Sequence, residues 1–289
     1  MPQFDDQKLT DAVIQSFAGA PDPRTREVLT KLVAHAHAFV RDAGLTFDEW
    51  HKAIDFLTRT GQTCTAARQE FILLSDVLGV SMLVDALNHR GHDDATESTV
   101  LGPFYTGEHR LAAHGADLAA GTAGERCFVD GALIQASGQP LAGATIDVWH
   151  ADGDGFYDSQ KPGYAPDQPS MRARFTTGAN GQFSFRTIVP RSYPIPTDGP
   201  VGELLRAGDR SPMRPAHIHF LISAPGHETL VTHVFIAGDD HLGSDAVFGV
   251  KPLLVAPLVP HDEPKYPDGT PAAARWYQLS YRFALRPVS

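Results

Sequence analysis

Proline and glycine are concentrated in the last two thirds of this chain of 289 residues. Only three of its 22 prolines and five of its 26 glycines precede residue 100. Because proline and interior glycine both disfavour helices, a stretch poor in both is free to be helical, whereas a stretch rich in both must turn often. The distribution predicts a helical first third followed by short strands and turns.

Hydrophobic periodicity supports this division. Leu9, Val13 and Phe17 recur at four-residue spacing, and Thr46 with Glu49 forms a capping box ahead of a further apolar stripe. Past residue 120 the period changes to two, which is typical of strands. The strand candidates, separated by clusters of Gly, Pro and Asp, are residues 127–135, 144–150, 182–188, 217–224, 229–237 and 275–283. Since no helix-length pattern lies between them, we predict an α+β chain whose strands form an antiparallel β-sandwich.

Charge and hydropathy exclude several classes of partner. The formal net charge is -10, so a nucleic acid or an anionic membrane surface would be repelled by most of the exterior. No apolar run approaches the roughly 18 residues of a membrane span. The first residues also lack the basic and then apolar regions of a secretory signal. We therefore expect a cytoplasmic protein in which Cys64 and Cys127 are unpaired.

Two histidines are the first candidates for chemistry. His217 and His219 are separated by one residue on a predicted strand, so both side chains project from one face with α-carbons roughly 6.5–7 Å apart. Two imidazoles placed in this way can bind one metal ion. Spacing alone leaves open a pair of hydrogen-bonded histidines on a half-buried strand. Tyr157 and Tyr193 lie in turn-rich loops next to strands, where a tyrosine is usually a packing residue.

Three segments, in this order, carry a family resemblance. They are VWHADGDGFYD at 148–158, RTIVPRSYPIPTDGPVG at 186–202 and RPAHIHFLISAPGH at 214–227. Together they resemble the intradiol ring-cleavage dioxygenases, non-haem ferric enzymes that open catechols between the two hydroxyls. The resemblance runs from about residue 102 to the C-terminus. The helical first third looks like the N-terminal linker domain of the same family.

The resemblance implies a cofactor and a set of ligands. Fe(3+) would be held by Tyr157, Tyr193, His217 and His219, and phenolate is a hard anionic donor suited to that ion. Tyr193 would also act catalytically, leaving the metal and accepting a proton when the substrate binds. Arg214 would stabilise negative charge that develops on the ring, with an ordinary strand-end salt bridge as its alternative role.

The subfamily is suggested by further segments. FILLSDVLG at 71–79, TVLGPF at 99–104 and SDAVFGV at 244–250 look similar to the hydroxyquinol 1,2-dioxygenases. This resemblance implies cleavage of hydroxyquinol (benzene-1,2,4-triol) with O2 to 3-hydroxy-cis,cis-muconate, the enol form of maleylacetate, in aromatic degradation. The substrate-binding residues would be Leu73, Asp76, Val100, Gly102, Pro103, Ile195, Pro196, Arg214, His233 and Val247.

Two of these positions carry a specific expectation. A buried Asp76 could accept a hydrogen bond from the third ring hydroxyl, which catechol lacks. His233 stands where catechol-cleaving relatives typically place a glutamine. We expect it to orient the substrate or to be a hydrogen-bonded core residue, and we do not assign it to the metal.

The first third of the chain has an assembly role in this interpretation. We expect that its helices do not bury all their apolar stripes within one chain, which favours a homodimer through them. The resemblance implies a helical linker and dimerisation domain over residues 1–100 and a catalytic β-sandwich domain over residues 101–289. Because the family often encloses a phospholipid between such helices, a bound phospholipid belongs to the same expectation.

Other functions remain open at the level of sequence. One alternative is a catechol or substituted-catechol 1,2-dioxygenase. Another is an Fe(II) or Zn(II) site in which His217 and His219 are joined by a carboxylate from Asp239, Asp240 or Asp245. A third is a non-enzymatic β-sandwich binding module, in which the two histidines would be polar core residues.

Overall fold

The computed structural model describes residues 5–65, 68–89, 95–107, 110–165, 168–272 and 274–288. The helices in these ranges are α1 (Asp6–Ser16), α2 (Pro23–Ala43), α3 (Phe47–Thr63), α4 (Glu70–Val77), α5 (Val80–Asn88) and α6 (Pro200–Ala207). The strands are β1 (Ala116–Asp117), β2 (Arg126–Gln135), β3 (Thr145–Trp149), β4 (Arg172–Thr176), β5 (Gln182–Ile188), β6 (Tyr193–Pro194), β7 (Met213–Arg214), β8 (His217–Ser223), β9 (Leu230–Ile236), β10 (Val255–Ala256), β11 (Val259–His261) and β12 (Trp276–Leu285). Five helices precede all of these strands, which is the order that the proline and glycine distribution predicts.

The predicted local signals correspond to observed elements. Each of the six strand candidates matches one strand, namely β2, β3, β5, β8, β9 or β12, within two residues at either end. The predicted capping box is confirmed at the start of α3. There the backbone N–H of Thr46 donates to Glu49 Oε2 at 2.9 Å, and the N–H of Glu49 donates to Thr46 Oγ1 at 3.3 Å. This reciprocal pairing satisfies donors that a helix start otherwise leaves unpaired.

The strands form two five-stranded sheets and one short pair, β6–β7. The sheet orders are β1-β5-β2-β12-β11 and β10-β9-β8-β3-β4. β8 pairs antiparallel with both β3 and β9, but β12 pairs parallel with β2 along ten residues. The prediction of an antiparallel β-sandwich was therefore wrong in strand direction. Both large sheets are mixed, because β1 also pairs parallel with β5 and β10 pairs parallel with β9. No tight hairpin joins β2 and β12, and a long connection allows either direction of pairing.

Both large sheets contribute to one hydrophobic core. Phe175 of β4 stacks on Phe185 of β5 with ring centroids 5.4 Å apart, and Phe220 of β8 lies 4.8 Å from Phe283 of β12. Aromatic pairs at such distances contribute beyond the area that they bury. These contacts hold β8 firmly on one face and leave its other face free to carry the site.

The chain forms two compact units, Met1–Arg59 and Thr60–Ser289. In the first, Thr10 of α1 is buried and its Oγ1 lies 3.0 Å from His37 Nδ1 and 2.9 Å from Arg41 Nη1, both on α2. Large apolar side chains nevertheless stay exposed there: Leu9, Val28, Leu32, Phe39, Val40, Phe47, Trp50, Ile54 and Leu57. Among the described helices, none has both the length and the apolar character needed to cross a membrane. The predicted domain boundary at residue 100 stays a prediction.

Candidate metal centre and substrate pocket

Four side chains converge at one end of β8. The Tyr157 hydroxyl oxygen lies 3.0 Å from the Tyr193 hydroxyl oxygen, 2.8 Å from His219 Nε2 and 3.5 Å from His217 Nε2. The two Nε2 atoms are 3.1 Å apart. All four residues are buried. The structure therefore brings together the four residues that the sequence proposed as ligands.

β8 positions the two histidines by simple alternation. Ile218, Phe220 and Ile222 are buried in the shared hydrophobic core, so the intervening side chains point to the opposite face of the strand. His217 and His219 consequently emerge together, as the period of two predicts. Trp149 of the neighbouring β3 stacks on the His219 ring with centroids 4.7 Å apart.

The loop after β3 delivers Tyr157 to the same place. The Asp152 carboxylate accepts the backbone N–H groups of Asp154 at 2.9 Å and Phe156 at 3.0 Å, which closes the turn. Gly155 has φ +85, and a Cβ there would lie 2.8 Å from Tyr193 Cβ. Only glycine tolerates both the backbone angle and the close approach. The DGDG sequence therefore shapes a turn, and it brings the Tyr157 loop against Tyr193.

The tautomer of His217 is set by the backbone. Its Nδ1 lies 2.6 Å from the carbonyl oxygen of Pro215. Because a carbonyl only accepts, Nδ1 carries the proton and Nε2 of the neutral ring has a free lone pair. That lone pair faces Tyr157 and His219, as a metal ligand requires.

Burial sets the protonation of the site in the absence of a metal. Burial and the charge of Arg214 lower the pKa of His217 to about 3. Burial raises the pKa of the Tyr157 phenol well above its ordinary value, and the neighbouring Tyr193 adds to the shift. The protein alone thus holds neutral imidazoles and protonated phenols. A bound cation would reverse this preference at the tyrosines by stabilising phenolate.

Arg214 forms the buried salt bridge considered for it from sequence and also lies beside His217, and its catalytic role stays a prediction. It forms a buried ion pair with Asp245, with Nε 3.0 Å from Oδ1, and its Nη1 lies 3.3 Å from His217 Nε2. Asp245 also accepts the backbone N–H groups of Val247 and Gly249. Asp245 thus fixes the position of the charged Arg214 guanidinium at the edge of the site.

No carboxylate joins the histidines among the residues that the structure describes. There, the only cluster of three or more His, Cys, Asp or Glu side chains close enough to share an ion is His217, His219 and His233. Asp245 is engaged by Arg214, and Asp239 accepts the backbone N–H groups of Ala216 and His241. This arrangement does not favour the alternative site with an aspartate ligand.

A cavity of about 440 Å³ opens beside the tyrosines. Four predicted pocket residues line it: Leu73, Pro103, Ile195 and Pro196. The remaining lining residues are Arg68, Gln69, Glu70, Phe104, Phe156, Gln160, Pro194, Thr197 and Asp198. The cavity is large enough for a single substituted benzene ring.

The other predicted pocket residues lie near the site but outside this lining. Gly102 has φ +76, and a Cβ there would approach His219 Cε1 to 3.3 Å. The backbone N–H of Val247 donates to Asp245, the ion-pair partner of Arg214. Val100 is adjacent to Thr99, whose Oγ1 lies 3.0 Å from His233 Nδ1. Their direct contact with substrate stays a prediction.

Asp76 is buried, as its proposed role requires. It is 2% exposed, and among the described residues its Oδ1 has no hydrogen-bond partner. Burial raises the pKa of this carboxyl group, while a hydrogen bond with Ser81 and the charge of Arg214 oppose the shift. Asp76 is therefore not an ordinary exposed aspartate on a helix surface.

Sequence reasoning missed several residues that shape the site. The Phe104 ring stacks on Tyr157 with centroids 4.4 Å apart, and Phe104 directly follows Pro103, a predicted pocket residue. Arg172 is fully buried, pairs with Asp158 through Nε at 2.8 Å, and donates from Nη1 to the Phe104 carbonyl at 3.1 Å. Trp149 lies within the first family segment. A lone arginine on a short strand carries no comparable signal in the sequence.

Comparisons with known proteins agree with this geometry. The family described as "Dioxygenase" matches residues 100–287, and "Catechol dioxygenase N terminus" matches residues 22–96. The chain is 50% identical to the 6-chlorohydroxyquinol 1,2-dioxygenase of Cupriavidus pinatubonensis, with all of both chains covered. It is 45% identical to the hydroxyquinol 1,2-dioxygenase of Nocardioides simplex, over 99% of this chain and 97% of that one.

A solved structure gives the same result. The hydroxyquinol 1,2-dioxygenase of Pseudomonas putida DLL-E4 superimposes with a TM-score of 0.90 and 43% identity, over 98% of this chain and 99% of that one. Full-length similarity at this level accompanies a site with the donor set expected from sequence. The chain therefore belongs to the intradiol ring-cleavage dioxygenases, a family of metal-dependent enzymes.

Proposed function

We propose that the protein cleaves hydroxyquinol between its adjacent hydroxyls, using Fe(3+) and O2, to give 3-hydroxy-cis,cis-muconate. The observation that carries the proposal is the convergence of two phenol oxygens and two imidazole nitrogens within 3.5 Å of the Tyr157 oxygen or of each other. The names of the full-length relatives from Cupriavidus, Nocardioides and Pseudomonas support the choice of substrate.

The donor set fits ferric iron. Bonds of about 2 Å from one metal ion separate neighbouring ligand atoms by roughly 3 Å, which agrees with the distances between these donors. Two tyrosine oxygens are hard ligands that suit Fe(3+) better than Fe(2+). We therefore assign Tyr157, Tyr193, His217 and His219 as the ligands. Iron bound there would activate the aromatic diol toward O2.

Tyr193 and Arg214 are the catalytic residues in this proposal. Tyr193 accepts a proton from a substrate hydroxyl at its phenolate oxygen. Burial raises the pKa of Tyr193 although the Arg214 charge opposes the rise, so the phenolate would need a bound cation to form and would take up a proton readily once released from it. The buried Arg214 stabilises negative charge on the substrate ring because little water screens it. Both oxygen atoms of O2 enter the muconate, so no external reductant is needed.

Asp76 would select the triol over catechol. Its buried, unpartnered Oδ1 accepts a hydrogen bond from the third ring hydroxyl, and the apolar side chains of Leu73, Ile195 and Pro196 enclose the ring. Catechol would leave the Asp76 oxygen unpaired, at a cost of about 1–3 kcal/mol. Preferred cleavage of catechol by the wild-type enzyme would contradict the substrate assignment and favour the catechol 1,2-dioxygenase alternative.

The metal assignment is tested by elemental analysis and the visible spectrum of the purified protein. We expect one iron per chain and a tyrosinate-to-iron charge-transfer band that shifts when hydroxyquinol is added without oxygen. Tyr157→Phe and His219→Ala should abolish or shift this band, whereas Tyr277→Phe, whose hydroxyl contacts Glu125, should leave it unchanged. A colourless protein that remains inactive after addition of iron would contradict the proposal.

We further propose that the helices over residues 1–100 form a homodimer and enclose a phospholipid, while residues 101–289 form the catalytic β-sandwich. The homodimer is supported by exposed apolar side chains on α2 and α3, such as Phe39 and Trp50, and on α5 by Leu83 and Leu87. The β-sandwich is supported by the apolar core that the two large sheets share. Native mass spectrometry should show a dimer with added lipid mass. A lipid-free monomer would contradict the assembly.

A further inference from the structure

We propose that His233 is a positioning residue that fixes the tautomer and ring orientation of His219. This inference rests on the proposed metal centre and assigns His233 neither a metal bond nor a substrate contact. The feature that suggests it is a chain of hydrogen bonds running from Thr99 through His233 to His219.

Strand register brings the two rings together. In the antiparallel pairing of β8 and β9, His219 lies directly opposite His233. Nε2 of His233 is 2.7 Å from Nδ1 of His219, and the rings meet edge to face with centroids 4.2 Å apart. Both side chains are buried. His233 therefore contacts the ring nitrogen of His219 that does not face the tyrosines.

Both nitrogens of His233 already have partners. Nε2 contacts His219, and Nδ1 lies 3.0 Å from Thr99 Oγ1. A metal bond or a substrate hydrogen bond from His233 would have to break one of these buried contacts. His233 thus lies close to the other two histidines because it holds the His219 ring in place.

The positions of the protons fix the direction of the chain. His219 Nε2 lies 2.8 Å from the Tyr157 hydroxyl and must present a lone pair in order to bind a metal. In a neutral ring the proton is then on Nδ1, which donates to His233 Nε2. His233 in turn carries its proton on Nδ1 and donates to the Thr99 hydroxyl oxygen. Both ring N–H donors in this chain of hydrogen bonds then have an acceptor.

The two ligand histidines are held by different means. The proton of His217 is fixed by the Pro215 backbone carbonyl, which no side-chain substitution removes. The proton of His219 is fixed by a side chain. When the acceptor is lost, the tautomer with the proton on Nε2 is favoured, because that N–H can still donate to the Tyr157 oxygen. This tautomer cannot bind the metal.

The test compares His233→Leu, which removes the acceptor, with His233→Gln, whose amide oxygen can still accept from Nδ1 of His219. We expect iron affinity, measured by chelator competition, to fall roughly 10–100-fold in His233→Leu, the range typical for loss of a partner behind a ligand. His233→Gln should recover affinity to within about three-fold of wild type, on the same principle. Thr99→Val should have a smaller effect, since the His219 contact stays.

A second readout needs neither iron nor activity. Nitrogen-15 NMR of the metal-free, histidine-labelled full chain reports which ring nitrogen of His219 carries the proton. We expect Nδ1 in wild type and His233→Gln, and a population with the proton on Nε2 in His233→Leu. Thermal unfolding identifies any variant that fails to fold. If His233→Leu fails, the iron affinity and His219 tautomer of His233→Gln are compared with those of wild type.

Three results would overturn the inference. Unchanged iron affinity and tautomer in His233→Leu, with only KM raised, would make His233 a substrate residue. Loss of iron affinity in both His233→Leu and His233→Gln, with the His219 tautomer unchanged, would make His233 a metal ligand. If His219 of the wild type carried its proton on Nε2, it could not donate from Nδ1 to His233, and the inference would be wrong. Wild-type protein that binds no iron would contradict the proposed function instead, and the tautomer measurement would still decide the role of His233.

Discussion

At the scale of single residues, the site combines groups whose burial is costly unless a ligand compensates it. Asp76 is the clearest case, because one oxygen of its buried carboxyl group has no partner in the described part of the chain. A buried acceptor without a donor typically costs about 1–3 kcal/mol. A substrate hydroxyl that reaches it would regain this energy, which is how a polar pocket discriminates between ring substitution patterns.

Asp76→Ala should therefore reduce substrate selectivity. We expect the ratio of kcat/KM for hydroxyquinol to kcat/KM for catechol to fall by about 10-fold or more, since about 1.4 kcal/mol corresponds to a factor of ten. Steady-state kinetics with both substrates measures the ratio. Asp42→Ala, at an exposed position on α2, is the matched control. An unchanged ratio in Asp76→Ala would remove Asp76 from substrate recognition.

Asp76 should also make stability depend on pH. Burial raises the pKa of this carboxyl group in the folded state. Above the unfolded pKa of about 3.9, the unfolded chain loses this proton more readily than the folded chain, so unfolding becomes easier as pH rises toward the folded pKa. Asp76→Asn should be more stable than wild type at pH 7, and the gap should close toward pH 4. Urea unfolding between pH 4 and pH 7 measures the difference in the free energy of unfolding between the two proteins. A difference that widens on acidification would contradict the prediction.

At the scale of elements, the strand β8, the short strand β6 and the loop after β3 build the site. β8 contributes both histidines because its alternate residues face the hydrophobic core, and this could be read directly from the sequence. Tyr157 comes from the loop after β3 and Tyr193 from β6, so no local pattern relates them. The resemblance identified these tyrosines, and the structure shows that the Gly155 turn allows them to meet.

Gly155→Ala tests this turn. We expect a loss of about 1–3 kcal/mol in the free energy of unfolding, from strain at positive φ and the contact with Tyr193, together with reduced iron content. Gly163→Ala is a matched control, because Gly163 has φ +79 but a Cβ added there would meet no atom within 4 Å. Equal iron content in the two variants would show that the contact between Gly155 and Tyr193 does not matter for the metal.

At the scale of the whole molecule, the metal should link distant parts of the chain. The four proposed ligands span residues 157 to 219 and come from β6, β8 and the loop after β3. A ligand that binds only the folded state stabilises that state, by about 2.7 kcal/mol at a concentration about 100 times its Kd. The metal is thus expected to be part of the stability of the Thr60–Ser289 unit.

Removal of the metal should therefore lower the melting temperature. We expect chelation to reduce Tm by several degrees in wild type and to leave Tyr157→Phe little changed, because that variant has lost a ligand. Differential scanning calorimetry with and without chelator measures both. An identical Tm in the two states of wild type would contradict a structural contribution from the metal.

The sequence by itself determined the order of helices and strands, the six main strands, the α3 capping box and the shared face of His217 and His219. These features depend on patterns within a few residues, where backbone preference and side-chain alternation act directly. Only the tertiary structure decided the parallel pairing of β12 with β2, the position of His233 opposite His219 and the burial of Asp76. Each of these depends on which distant segments meet, and that follows from the packing of the complete core.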